Sequence, residues 1–179
     1  MATDLDKLPQ MKQGKNVFLM FRRLKDQADE NAKKLVFQTS HTFDMSRSND
    51  AVNTKDGTLF RVGALESSYS IEAIQSTNDP TYEMLRNAVK NGEKLELWEI
   101  TFEEDMKDEE GKYPAVYAQG YLESWSTPND VEGEATISTT FNVEMVPQEG
   151  FATVTDEIAE QAQYAFRDTL AGSGTEETP

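Results

Sequence analysis

Three segments of this chain alternate apolar and polar side chains with a period of two, and no other feature constrains the fold as tightly. In residues 36–46, Phe37, Thr39, His41, Phe43 and Met45 share one face, and Gln38, Ser40, Thr42, Asp44 and Ser46 share the other. In residues 65–73, Leu65, Tyr69, Ile71 and Ala73 oppose Glu66, Ser68, Ser70 and Glu72. In residues 134–145, Ala135, Ile137, Thr139, Phe141, Val143 and Met145 oppose Glu134, Thr136, Ser138, Thr140, Asn142 and Glu144. Successive strand side chains point to opposite faces, so each segment reads as a strand with one face buried and one in water. The stretch Arg47–Asp56 between the first two is rich in Ser, Asn, Asp and Thr and ends in the turn signal Asp56-Gly57. The first two segments therefore form a long hairpin, with Arg47, Asn49, Asp50, Lys55 and Asp56 at its polar tip.

The rest of the chain supplies further strands and two helices. Asn16–Arg22 is a short apolar strand, and Lys25–Lys34 is a polar loop or a turn of helix. Asp79 is an N-cap, Pro80 fits the first helical position and Gly92 closes the end, with Met84, Leu85, Ala88 and Val89 as the buried stripe. Leu95–Phe102 changes apolar phase between Leu97 and Trp98, which calls for a bulge or for burial on both faces. Glu103–Gly111 is an acidic connection. In Tyr113–Trp125, Tyr113, Tyr117, Tyr121 and Trp125 share one face while Val116, Ala118 and Leu122 share the other, so this strand needs cover on both sides. Thr155 opens a last helix with Ile158, Ala162, Ala165 and Phe166 as its stripe. The expected organisation is an arm over 1–15, one mainly β domain with flanking helices over 16–168, and a flexible tail over 169–179.

Composition narrows the function. The chain has 179 residues, no cysteine and a formal charge of -16, which excludes thiolate chemistry and gives phosphate no basic patch to bind. Residues 1–95 hold 14 Lys/Arg against 13 Asp/Glu, whereas residues 96–179 hold 3 against 20. Such polarity suits head-to-tail association of copies, which generates rings or filaments; a solvated acidic surface is the plainer account. The opening Met1–Asp6 has the character of no secretory leader, and no apolar run is long enough for a membrane helix.

The search for catalytic chemistry returns little. His41 is the sole histidine, and on the apolar face of a strand it reads as a core or interface residue rather than a base. No glycine-rich phosphate loop follows a strand. The acidic run Glu103–Glu110 does not match a calcium loop, so neither cofactor nor metal is expected. What stands out is that the polar faces carry hydroxyls and amides punctuated only by carboxylates: Asp44, Glu66, Glu72, Glu134 and Glu144, with no Lys or Arg among them. An ordinary solvent face mixes both signs.

Several ordered segments resemble the major tail protein of long-tailed bacteriophages with non-contractile tails. They include Gly14–Arg22, Lys34–Phe43, Lys55–Thr58, Gly63–Glu66, Asp79-Pro80 leading to Gly92–Leu95, Gly111–Ala115, Gly120–Leu122, Glu134–Thr139 and Pro147–Gly150, together spanning about residues 14–168. The resemblance implies a tail-tube fold, a β-sandwich or barrel with a flanking helix. It also implies a structural, non-enzymatic virion protein, assembled in the host cytoplasm, whose hexameric rings stack into a tube. Tape-measure and tail terminator or tip proteins would be its partners, and double-stranded DNA would pass through without specific binding or any membrane contact. On that reading the five carboxylates face the lumen and the hairpin tip reaches an adjacent ring. Two other readings stay open on the residues alone. One is a monomeric β-barrel binding a small apolar ligand along the Tyr/Trp stripe; the other is a hydrolase using paired acids.

Overall fold

A computed structural model describes residues 12–163. Seven antiparallel strands form one sheet: β1 (Val17–Arg23), β2 (Lys33–Lys34), β3 (Gln38–Thr54), β4 (Gly57–Ile74), β5 (Leu95–Thr101), β6 (Tyr113–Leu122) and β7 (Thr136–Ala152). Their order is β2-β1-β5-β6-β7-β4-β3. Helix α1 (Pro80–Asn91) joins β4 to β5, and α2 (Asp156–Gln163) follows β7. The expected arm overlaps the described residues only from Lys12 onward. The tail, and the Ala165 and Phe166 positions of the last helix, lie outside them.

The alternation decides which face is buried. On one face, Leu19 and Phe21 of β1, Leu95 and Leu97 of β5, Ala118 and Leu122 of β6, Phe141 and Ile137 of β7, and Tyr69, Ile71 and Ala73 of β4 make one core, joined by Leu85 and Ala88 of α1. The sheet curls around this core until its ends approach. The Gln38 side-chain amide bridges β3 to β1, accepting from the Leu19 N–H at 2.9 Å and donating to the Leu19 carbonyl at 2.7 Å. The opposite face is buried only at its lower end. There Phe18, Met20, Ile100, Phe102, Tyr113 and Ala115 form a second cluster, against which Ile158 and Ala159 of α2 pack.

The two-sided cover explains β5 and β6. β5 pairs with both neighbours without a register shift, so its change of phase reflects burial on both faces and not a bulge. Gly120 of β6 sits where a Cβ would lie 1.9 Å from the Asn142 carbonyl oxygen, which admits no larger residue. The irregularity falls in β7, where Tyr117 pairs with Gln148 but Gln119 with Glu144. Met145 takes a left-handed φ of 61° there and stands 90% exposed, leaving the apolar face to which alternation assigned it. Trp125 also leaves the stripe expected of it: it lies beyond β6 and meets Tyr82 of α1 edge-on at 5.4 Å.

The hairpin is longer than its composition suggests. The β3–β4 ladder runs to Thr54↔Gly57, with Lys55 and Asp56 alone forming the turn. Arg47, Asn49 and Asp50 are ladder residues and not loop. Exposure on both sides of this arm erases the apolar period by which a strand is read.

Helix α1 has the expected ends. Gly92 adopts φ 64°, the left-handed C-terminal position that favours glycine. The Asp79 carboxylate accepts from the Thr81 N–H at 2.8 Å and from the Val36 N–H at 3.1 Å, so it caps α1 and anchors the approach to β3 together. Asp79→Ala is expected to lower unfolding stability by about 2 kcal/mol, more than the roughly 1 kcal/mol of a simple cap, because the Val36 N–H loses its acceptor. Urea unfolding of the two proteins measures this.

Candidate functional site

The paired strands hold their polar side chains in rows across three strands. Ser40, Glu72 and Ser138 stand opposite one another, as do Thr42, Ser70 and Thr140, then Asp44, Ser68 and Asn142, and Ser46 faces Glu66. Cross-strand partners share a face, so Asp44, Glu66 and Glu72 lie on one continuous surface. All three are exposed. The adjoining row on the other face is Phe43, Tyr69 and Phe141, with Phe43 stacked on Tyr69 at 4.4 Å. Aromatic packing beneath therefore fixes the register of the carboxylates above.

Glu144 joins the same surface through β6, where it stands opposite Gln119, while Tyr121 stands opposite Asn142. Asn142 donates to Glu123 at 3.1 Å. Sequence alternation within β3, β4 and β7 gave no sign of these contributors from β6 and beyond. It also missed Lys94, which reaches Glu144 from the connection after α1 with its Nζ 2.5 Å from the carboxylate. This cation is delivered by tertiary structure to a surface whose own strands supply none beside Asp44, Glu66 and Glu72. Glu134 is exposed in the connection ahead of β7, outside the ladder.

The hairpin arm extends this surface outward and changes its chemistry. Asp50 opposes Arg61, and Val52 opposes Leu59, on the continuation of the polar face; Ala51 and Phe60, and Asn49 and Val62, lie on the other. Leu59, Phe60 and Val62 are 63%, 67% and 65% exposed. Through Phe60 and Val62 the core stripe thus runs past the edge of the domain, exposed among the described residues, while Leu59 stands exposed on the polar side. At the base of the arm a register shift falls beside Gly63, where a Cβ would meet Ser48 Oγ at 2.1 Å, and Arg47 donates to the Gly63 carbonyl at 2.9 Å.

A cleft of about 1100 Å³ lies between β1 and β3 and is lined by Lys12, Lys34, Phe43, His41 and Glu99 among others. The four aromatics considered as a ligand stripe do not line it. Tyr113 is buried and stacked on Phe102 at 4.4 Å, and Tyr117 packs against Trp98 at 5.2 Å. Among the described residues no group of three or more His, Asp or Glu side chains is placed to hold a metal ion, and no helix is long and apolar enough to cross a membrane.

Comparison with known proteins identifies the class. A family model described as phage tail tube protein matches residues 11–149, and the chain belongs to that family of structural tail proteins. It is 25% identical over 163 residues to a putative tail protein of Staphylococcus phage phiMR25, covering 89% of this chain and 83% of that one. It is 25% identical over 127 residues to the tail tube protein gp17.1* of Bacillus phage SPP1, covering 70% of this chain and 47% of that one; the match spans about half of that relative's length. Among solved structures, the SPP1 tail tube aligns with a TM-score of 0.73 at 22% identity over 92% of this chain and 95% of that one. The tail of an empty gene transfer agent particle, refined with C6 symmetry, aligns at 0.60 and 15% identity over 80% and 100%. The mainly β fold with flanking helices is thus that of a tail tube protein.

Asp44, Glu66 and Glu72 make no ion pair among the described residues, so their charges are not part of what holds the subunit together. The triple replacement Asp44→Asn, Glu66→Gln, Glu72→Gln is expected to leave unfolding stability within about 0.5 kcal/mol of the parent, read by thermal or urea denaturation.

Proposed function

We propose that this chain is the repeating subunit of a non-contractile phage tail, forming stacked six-fold rings whose joined sheets wall a channel for double-stranded DNA. The supporting observation is the surface of β3, β4 and β7, with its rows of hydroxyls, amides and carboxylates over an aromatic layer. β3 is the terminal strand of the sheet, and an unpaired strand edge is a template for pairing with another copy. Joining sheets around a ring removes that edge.

Asp44, Glu66, Glu72 and Glu144 line the lumen in this reading. Glu134 joins them from its connection, though no ladder holds it in place. Carboxylates repel phosphate within a Debye length of roughly 8 Å at physiological salt, and hydroxyls give it no cation to rest on. DNA then slides and is not retained. Lys94 offsets part of this charge at Glu144. The role is structural and needs no catalysis or cofactor; the partners are further copies, a tape-measure protein during assembly, and terminator and tip proteins at the tube ends, all within the virion tail after assembly in the host cytoplasm.

The arm carries the contact between rings. From Arg47 to Thr54 it extends about 23 Å at ~3.3 Å per residue, and its exposed Leu59, Phe60 and Val62 form the kind of apolar surface that marks an interaction site. Arg47, Asn49, Asp50, Lys55 and Asp56 supply its polar rim and turn.

Electron microscopy of the purified protein at rising concentration tests the central claim: rings or tubes are expected, and a monomer at every concentration would overturn it. Asp44→Lys with Glu72→Lys is expected to slow DNA ejection from particles of normal appearance, measured by fluorescence of released DNA. Shortening the hairpin by removing residues 49–62 is expected to leave folded, soluble subunits that no longer polymerise, as sedimentation will show.

A further inference from the structure

The curled sheet has a seam. The outer edge of β1 near Val17 faces β3 across the cleft, and the Gln38 side chain at Leu19 is the hydrogen-bonded bridge between them. No strand pairing joins β1 to β3 among the described residues, so one edge of β3 stays open along the cleft. Phe37, at the start of this edge, has φ 55°, a left-handed conformation that costs a bulky residue steric strain. Its carbonyl accepts from the Ile74 N–H at 3.0 Å, so β4 holds the strained backbone in place. Its ring lines the cleft beside Phe18, Phe43 and Phe102, yet is 60% exposed. Neither the polar wall nor the hairpin arm makes use of that ring.

Helix α2 leads towards it. Ile158 and Ala159 pack on the cluster that contains Phe18 and Phe102, and one turn later Ala162 lines the cleft itself. The amino-acid order carries the same stripe on through Ala165, Phe166 and Leu170, and then supplies Gly172 as a helix-ending residue. In a continued helix Phe166 would follow Ala162 by ~6 Å on the same face. Residues 1–11 also lead to the cleft, through Lys12. Pro9 and the lack of an apolar period give them no face to lay in it.

We propose that residues 164–171 continue α2 in the free subunit and seat Phe166 in the cleft against Phe37, covering the open edge of β3. Covering an edge with a helix is one way a sheet avoids unwanted pairing. The seating concerns a single subunit and does not depend on the tube reading. Its consequence does rest on that reading: the segment must leave before a neighbouring copy can pair with β3.

Nuclear Overhauser contacts in the full chain, at a concentration where it sediments as a monomer, test the seating. They are expected from the Phe166 ring to Phe37, Thr39 or His41, all of which line the cleft. His41 is the only histidine, so its imidazole resonances are unambiguous. Mixing isotope-labelled with unlabelled chains shows whether the contacts arise within one chain. Their absence, their arising between chains, or their replacement by contacts from residues 1–11 overturns the proposal. Phe166→Ser is expected to shift the resonances of Phe37 and His41 and to leave those of α1 in place; unmoved cleft resonances overturn it too. Should Phe166→Ser fail to fold, the parent's contacts alone decide. In sedimentation, Phe166→Ser is expected to assemble at a severalfold lower concentration than the parent. An equal or higher threshold refutes the covering of the edge, whereas a parent that never assembles tells against the tube reading and leaves the seating to be decided by the contacts.

Discussion

Cross-strand register between β3, β4 and β7 is the constraint on which the rest of the molecule depends. The row Phe43, Tyr69 and Phe141 on the inner face and the row Asp44, Ser68 and Asn142 on the outer face are neighbours in the same ladder. A slip of one residue in any of the three strands would exchange the two sets, placing a carboxylate in the core and an aromatic ring in water. Burying the aromatic row thus holds the carboxylates outward without any bond to them. The polar surface is a by-product of core packing, and its charges remain available for function.

The same sheet solves two problems with its two faces. Curling buries the inner face on itself and on α1, which leaves the outer face free over the β3–β4–β7 half and packed by α2 only at the lower end of the β1–β5–β6 half. Asp79 ties these parts together, because one carboxylate caps the helix and holds the chain entering β3. The price of this design is a sheet that ends in an unpaired strand, with β3 bridged to β1 by the Gln38 side chain and an arm whose apolar residues stand exposed among the described residues. On the proposed tube reading, those loose ends are the places where a neighbouring copy would complete the structure.

Much of this was legible in the amino-acid order. Alternation in β3, β4 and β7 follows from side-chain geometry alone, and it assigned Asp44, Glu66 and Glu72 to one surface. The ends of α1 were equally plain, since Asp79, Pro80 and Gly92 each act within a turn of the backbone. Where local chemistry decides, sequence reading succeeds. It stopped short along the arm, where Arg47–Thr54 is solvated on both sides and strand pairing leaves no apolar period. It also misplaced Met145, which a bulge in β7 turns into solvent, and Trp125, which packs on α1 instead of extending a strand.

By itself, then, the sequence determined the strands and their inward faces, the limits of the first helix and the acidic character of the outer surface, because these depend on neighbours one to four residues apart. Only the tertiary structure decided that β6 adds Gln119 and Tyr121 to that surface, that Lys94 arrives beside Glu144, and that His41 faces Glu99 across a seam. Those pairs are separated by tens of residues. They meet because the sheet curls, and curling is set by packing of the whole core, which no local pattern encodes.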